Sequence, residues 1–231
     1  MNKIQLAVIS WLALSLPCAL LGDEAADKPQ LVTSPVSGPS DSHSGKPALD
    51  FKAGSELWLE GNSPVTRFYF TATQVTATSE VDKSGLKDKS LLSVILHKAV
   101  HNLTVTVPVE GLKSGTAGME KDAYDSMKAK DFPDIVFKLN DYVIRPYPGD
   151  ENTYAVIAQG KMKISGQERD IVLNATLVNG TEGLTLYGNQ DILQRDYGIT
   201  PHSVAGMPLI GVDNKIVVHY VVKLGLLSKE D

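Results

Sequence analysis

The sequence predicts an all-β domain: about eight antiparallel strands in an up-and-down β-barrel, with one short α-helix near residues 117–130. Three observations carry this reading. Segments of period two recur along the chain between short turns, as where Phe68, Phe70 and Ala72 alternate with Arg67, Tyr69 and Thr71. A single stretch has helical spacing and stops at a proline. Met119, Ala123 and Met127 share one helical face, and Pro133 lacks an amide proton and drives Phe132 out of the helical region. From Ile135 the period returns to two, with Ile135, Phe137 and Leu139 opposite Val136, Lys138 and Asn140.

The elements follow in order. The folded domain begins near Leu49, and Leu57 and Leu59 alternate with Trp58 and Glu60 in a first strand. Gly61-Asn62-Ser63-Pro64 reads as a turn and residues 67–72 as a second strand. Residues 79–90, charged and glycine-containing, read as a loop. Leu91–Leu96 is short and apolar, a strand or hairpin arm. Residues 101–110 alternate, with Leu103, Val105, Val107 and Val109 on one face. After the helix and the strand from Ile135, residues 146–150 (PYPGD) turn the chain. Residues 153–164 and 169–178 form a hairpin about Ser165-Gly166-Gln167-Glu168, and Asn179-Gly180 marks the next turn. Residues 183–193 form a further strand, 197–213 are irregular, and 215–224 form the last strand, with Ile216, Val218, Tyr220, Val222 and Leu224 on one face. Sequential hairpins of this kind fit an up-and-down barrel or a sandwich; a barrel leaves no strand edge unpaired, and no Greek-key signal favours the sandwich.

Around this domain, 49–227, the chain carries two other segments. Residues 1–22 read as a secretory signal, with Lys3 before the apolar run Ile4–Leu21 and Pro17 near its end. At roughly 18 residues the run sits at the lower edge of membrane-spanning length. Residues 23–48, rich in Pro, Ser, Gly and Asp, hold too few large apolar groups to offset the entropy of ordering and read as a disordered linker. The only cysteine, Cys18, lies in the signal, so cleavage after it leaves no thiol for disulfides or thiolate chemistry. The formal charge is −5 with no basic cluster, and the aromatics are scattered. Neither the electrostatic footprint nor the stacking platform of a nucleic-acid binder is present.

Five stretches resemble the YceI-like family of lipid- and polyisoprenoid-binding proteins. They are Ser55-to-Ser63 (SELWLEGNS), Leu112-Lys113-Ser114-Gly115, Met127-Lys128-Ala129 with Phe132-Pro133-Asp134-Ile135-Val136-Phe137, Gly160-to-Gly166 (GKMKISG), and Arg195-Asp196-Tyr197-Gly198-Ile199. Each is weak alone, but they lie in the family's order over most of the domain. The resemblance implies a lipocalin-like barrel with an apolar tunnel, an isoprenoid ligand with its head group near the mouth, and export from a bacterium to the periplasm or beyond.

Chemistry at a site is poorly supported by the residues. The histidines are His43, His97, His101, His202 and His219. His97 and His101, read as one strand, stand about 13 Å apart, too far for one metal ion. Ser203 beside His202, with Asp196 and Asp213 flanking, lacks the base-against-nucleophile geometry of a hydrolase and any GxSxG elbow. No glycine-rich phosphate loop occurs. Neither a metal nor a cofactor is expected, and the chain does not read as an enzyme.

What remains is a lumen. An eight-stranded barrel is just wide enough to hold a slim ligand. The predicted lining comes from the inward faces: Phe68, Phe70, Leu103 and Val105; Met119, Met127 and Phe132 at the helix; Ile135, Phe137, Ala158 and Met162; and Leu173, Ala175, Leu186, Val218 and Tyr220. Small inward residues (Ala158, Gly160, Ala175, Gly188) either leave the lumen open or merely ease packing. The leading expectation is an exported carrier of an isoprenoid or other long-chain lipid. It meets membranes only transiently, and a homodimer is compatible with the sequence. Two rivals stand beside it. A secreted lipid-modifying enzyme requires a lumenal dyad of Asp141 or Asp196 with His202 or His219. A filled barrel would act as a recognition module.

Overall fold

The computed structural model describes residues 48–64, 66–201 and 211–227. All lie in the unit Val32–Asp231; the signal and nearly all of the linker read from the sequence, with Cys18, His43, His202 and Ser203, lie outside the described residues.

Eleven strands are present among them: β1 (Ala48–Phe51), β2 (Glu56–Asn62), β3 (Arg67–Ala72), β4 (Thr76–Val81), β5 (Val100–Pro108), β6 (Leu112–Lys113), β7 (Asp134–Tyr147), β8 (Asp150–Ile164), β9 (Gln167–Gly180), β10 (Gly183–Leu193) and β11 (Lys215–Leu227). Every pairing is antiparallel; the order is β4-β5-β7-β8-β9-β10-β11-β2-β3-β6, so that β11 returns to β2 and β3 meets β6. The excess over eight has a simple origin. The segment β3–β4 is one strand bent at residues 73–75, and β5–β6 is one strand bent at the 3-10 turn Val109–Gly111. They pair along their length, Thr71 opposite Lys113, Ala77 opposite Val105 and Val81 opposite Val100, with the Thr73 amide donating to the Gly111 carbonyl at the bend (2.9 Å). The circuit therefore closes with eight long strands. The short β1 lies beside it, paired to β11 and tied to β4 by the Leu49 amide donating to Ser79 Oγ at 2.7 Å.

Among the described residues two α-helices accompany the barrel where one was expected. α1 (Leu91–Leu96) occupies the segment read as a strand or hairpin arm. Ser90 caps it, its hydroxyl accepting from the Ser93 amide at 3.2 Å, so an N-cap overrides the strand preference of an apolar run. α2 (Ala117–Ser126) stops short of residue 130 because Lys128 takes a left-handed φ of 54°, and turns rather than helix lead to Pro133.

Other boundaries move for local reasons. The segment read as a loop over 79–90 begins only at Asp82, since β4 runs to Val81. Gly61 and Asn62 belong to β2, and the chain reverses beyond them, with the Ser63 amide donating to the Thr66 carbonyl at 2.8 Å. The β8–β9 turn is Ser165-Gly166 alone, with φ of 49° and 78°, the left-handed pair a tight hairpin requires. The next turn is Thr181-Glu182, with Asn179 and Gly180 still paired in β9.

The packed core lies at the barrel's ends. At one end α1 buries Val94 (0 % exposed) and Ile95 against Leu49, Val81, Leu177, Leu184 and Leu224. Full burial of each such side chain contributes about 1.5–3 kcal/mol, so this plug is firmly seated. At the other end Met119, Ala123 and Met127 of the α2 segment pack against Phe70, Val107 and Leu112. Ile164, Ile192, Tyr197 and Ile199 form an adjoining cluster.

Candidate functional site

Between the two ends runs a cavity of ≈ 760 Å³, within the range of sites that enclose small molecules. Its wall is built by alternation. Leu57 and Leu59 of β2, Phe68 and Phe70 of β3, Leu103 and Val105 of β5, and Val218, Tyr220 and Val222 of β11 all face in. On β7 the register shifts between Leu139 and Asp141, so inward positions change from odd to even numbers: Ile135, Phe137 and Leu139, then Tyr142.

Of the predicted lining, Phe68, Phe70, Leu103, Val105, Met119, Met127, Ile135, Phe137, Ala158, Met162, Leu173, Ala175, Leu186, Val218 and Tyr220 all border the cavity. Phe132 does not. Its ring lies over Gly166, where an added Cβ would come within 2.6 Å of it, so it packs on the β8–β9 turn instead.

Three aromatic rings lie along the wall at inward glycines. Phe68 covers Gly61, Phe137 covers Gly160 (2.6 Å from a Cβ placed there) and Tyr220 covers Gly188. A glycine has no side chain to lift the ring, so each ring rests against the sheet rather than projecting across the lumen. The small residues thus act through their neighbours: the space at Gly160 and Gly188 is already filled by rings.

The ends of the cavity differ. The α1 end is closed by buried Ile95, Leu49 and Leu224. The exposed lining residues, Thr66, Thr116, Gly118 and Asp122, all lie at the α2 end, which is therefore the mouth. Ser63, Gln190 and Gln194 add polar groups there. Deeper in, Tyr142 donates to the Ile95 carbonyl at 3.0 Å and Tyr220 to the Asn174 carbonyl at 3.3 Å. Burial pushes each phenol up to about 12.

The dyad that an enzyme would need is not assembled among the described residues. His219 faces outward, stacked on Trp58 (centroids 5.0 Å apart, rings 7° from parallel) and 3.2 Å from Glu60. Asp141 is exposed and bound to Lys98 at 2.8 Å, and Asp196 is exposed. His97 and His101 do not share a strand: His97 ends α1, its Nδ1 2.8 Å from the Ser93 carbonyl, and His101 lies in β5.

A closed eight-stranded meander around an apolar, one-mouthed lumen is the architecture that the five sequence stretches implied, and the YceI-like domain pattern matches residues 52–224. The chain belongs to the YceI-like family. This is a family of binding domains. Among solved structures, the fold resembles BcnA of Burkholderia cenocepacia, with a TM-score of 0.55 at 16 % identity over 76 % of this chain and 99 % of that one. It also resembles a polyisoprenoid-binding domain of Saccharophagus degradans, with a TM-score of 0.51 at 7 % identity over 78 % of this chain and 98 % of that one. At these identities the likeness concerns the fold alone. No curated protein sequence matches.

Several YceI-like lumen residues escaped sequence reasoning. Tyr142 sits past the β7 bulge, and Ile95 lies in the helix read as a strand or hairpin arm, whereas Leu139 follows from the Ile135–Phe137 alternation. Gln190 and Ile192 share the Leu186 face of β10 and follow directly from its alternation.

Proposed function

We propose that this YceI-like chain is an exported carrier that holds a long-chain amphiphile, a polyisoprenoid or quinone-like lipid, with its tail in the lumen and its head at the α2 mouth. It carries out no covalent chemistry on that lipid. The observation behind this reading is the ≈ 760 Å³ apolar lumen, closed at α1 and open beside α2. The family membership and the Saccharophagus degradans domain's description as polyisoprenoid-binding support the choice of ligand class. Energetics allow it. Burying about 20 carbons at about 0.8 kcal/mol each gains about 16 kcal/mol gross, against an association cost of about 4–15 kcal/mol. Met119, Met127 and Met162 supply flexible side chains that adapt to kinks in such a tail. The apolar run at the N-terminus and the Pro/Ser-rich segment after it favour export to the periplasm or outside the cell, with the domain released from its signal.

The test is transfer from vesicles containing a long-chain polyprenol to the purified protein. The unaltered chain carries the lipid through gel filtration. Ala158→Trp, which fills the lumen, folds by circular dichroism yet carries none. Equal loading of both proteins contradicts a lumenal site.

A further inference from the structure

Resting on the carrier reading, we infer that Ile95 sets the length of tail the lumen accepts: the α1 plug is a fixed stop, and surplus tail extends out of the mouth rather than deeper into the barrel. The floor of the lumen is closed by apolar side chains. Ile95 borders the cavity there with Leu49, Leu177 and Leu224, and all four are buried, at 7 % exposure or less. A tail that reaches this surface meets side chains already packed against one another, and such packing resists an inserted group.

A stop must not yield, and α1 is fastened to the barrel at the residue that meets the tail. Tyr142 of β7 donates to the Ile95 carbonyl at 3.0 Å, and the Lys98 amide donates to the same oxygen at 3.1 Å. Lys98, which turns the chain after the helix at a φ of 55°, also binds Asp141 of β7 at 2.8 Å. That exposed ion pair contributes little. The buried Tyr142 bond carries the anchorage, because lifting α1 would leave a phenol without a partner away from water. The other end of the lumen is built differently. None of the α2 residues is buried, and exposed Thr116, Gly118 and Asp122 border the mouth. Carbons that emerge there stay in water and add little affinity. Affinity therefore climbs with each prenyl unit that enters and breaks off where the tail reaches Ile95.

The test titrates the full-length chain calorimetrically with linear prenols, from geraniol upward in steps of one prenyl unit. For the unaltered chain each unit raises affinity about fivefold or more up to one length, and the next unit changes it by less than about twofold. Ile95→Ala moves that break to a longer prenol and Ile95→Trp to a shorter one, each variant keeping its circular dichroism spectrum. Ile95→Val, a milder truncation, takes the place of Ile95→Ala if the plug does not fold around alanine. Leu59→Ala removes as many carbons from the wall as Ile95→Ala does from the floor, and it lowers affinity without moving the break. A break unmoved in the Ile95 variants, a break moved as far by Leu59→Ala, or a steady climb with no break overturns the inference and leaves the carrier reading standing. Binding of no prenol at any length overturns the carrier reading and this inference with it.

Discussion

The Tyr220 ring on β11 lies across Gly188, its register partner on β10, and its hydroxyl reaches the Asn174 carbonyl on β9 at 3.3 Å. One side chain thus spans three strands along the lumen wall. It can do so only because residue 188 has no Cβ, which would overlap the phenol oxygen.

Gly188→Ala should therefore expel the ring into the lumen. Overpacking of this kind costs roughly 1–3 kcal/mol, read as a lower urea midpoint, with lipid capacity reduced in parallel. In a Tyr220→Ala background the same substitution should cost much less, since the overlapping ring is absent. An equal cost in both backgrounds would show that the ring is not what Gly188 accommodates.

Tyr142 and Tyr220 give the barrel an alkaline limit. Burial raises both phenols from 10.0 to about 12. The folded state thus holds these protons where the unfolded chain has released them, so the stability they confer is complete below pH 10 and is lost as pH rises from 10 towards about 12. Urea midpoints should fall over that window. The fall should be shallower in Tyr142→Phe/Tyr220→Phe, which has no phenol at either place.

Ser90 fixes the plug at the closed end. Its hydroxyl accepts from the Ser93 amide, and Tyr142 ties the far end of the same short helix through the Ile95 carbonyl. Ser90→Ala should cost about 1 kcal/mol and speed amide exchange in α1 before the strands. Uniform acceleration across β7 and β8 as well would mean that α1 is part of the global unfolding unit.

Much of this was legible in the sequence, and the misses share a cause. Wherever alternation ran unbroken, as at Phe68–Phe70 or Val218–Tyr220, side-chain direction followed from period two alone. Where the backbone departs from regularity, the pattern misleads. The β7 bulge at Asn140 turns Tyr142 inward against the preceding rhythm. The capping hydroxyl of Ser90 makes a helix of LLSVIL, whose composition suits a strand equally well. Phe132 has the chemistry of a lumen residue, but the left-handed Ser165-Gly166 turn offers it a seat outside. The ring-over-glycine contacts depend on register between strands, which no single strand's sequence states.

The most direct test of the central claim is native mass spectrometry of the chain purified from its own host, with organic extraction of whatever accompanies it. The account predicts one long-chain prenyl amphiphile per folded domain, on a chain whose mass begins near Asp23. An empty protein that also takes up no added prenyl alcohol would contradict it and leave a barrel whose role lies in its outer surface.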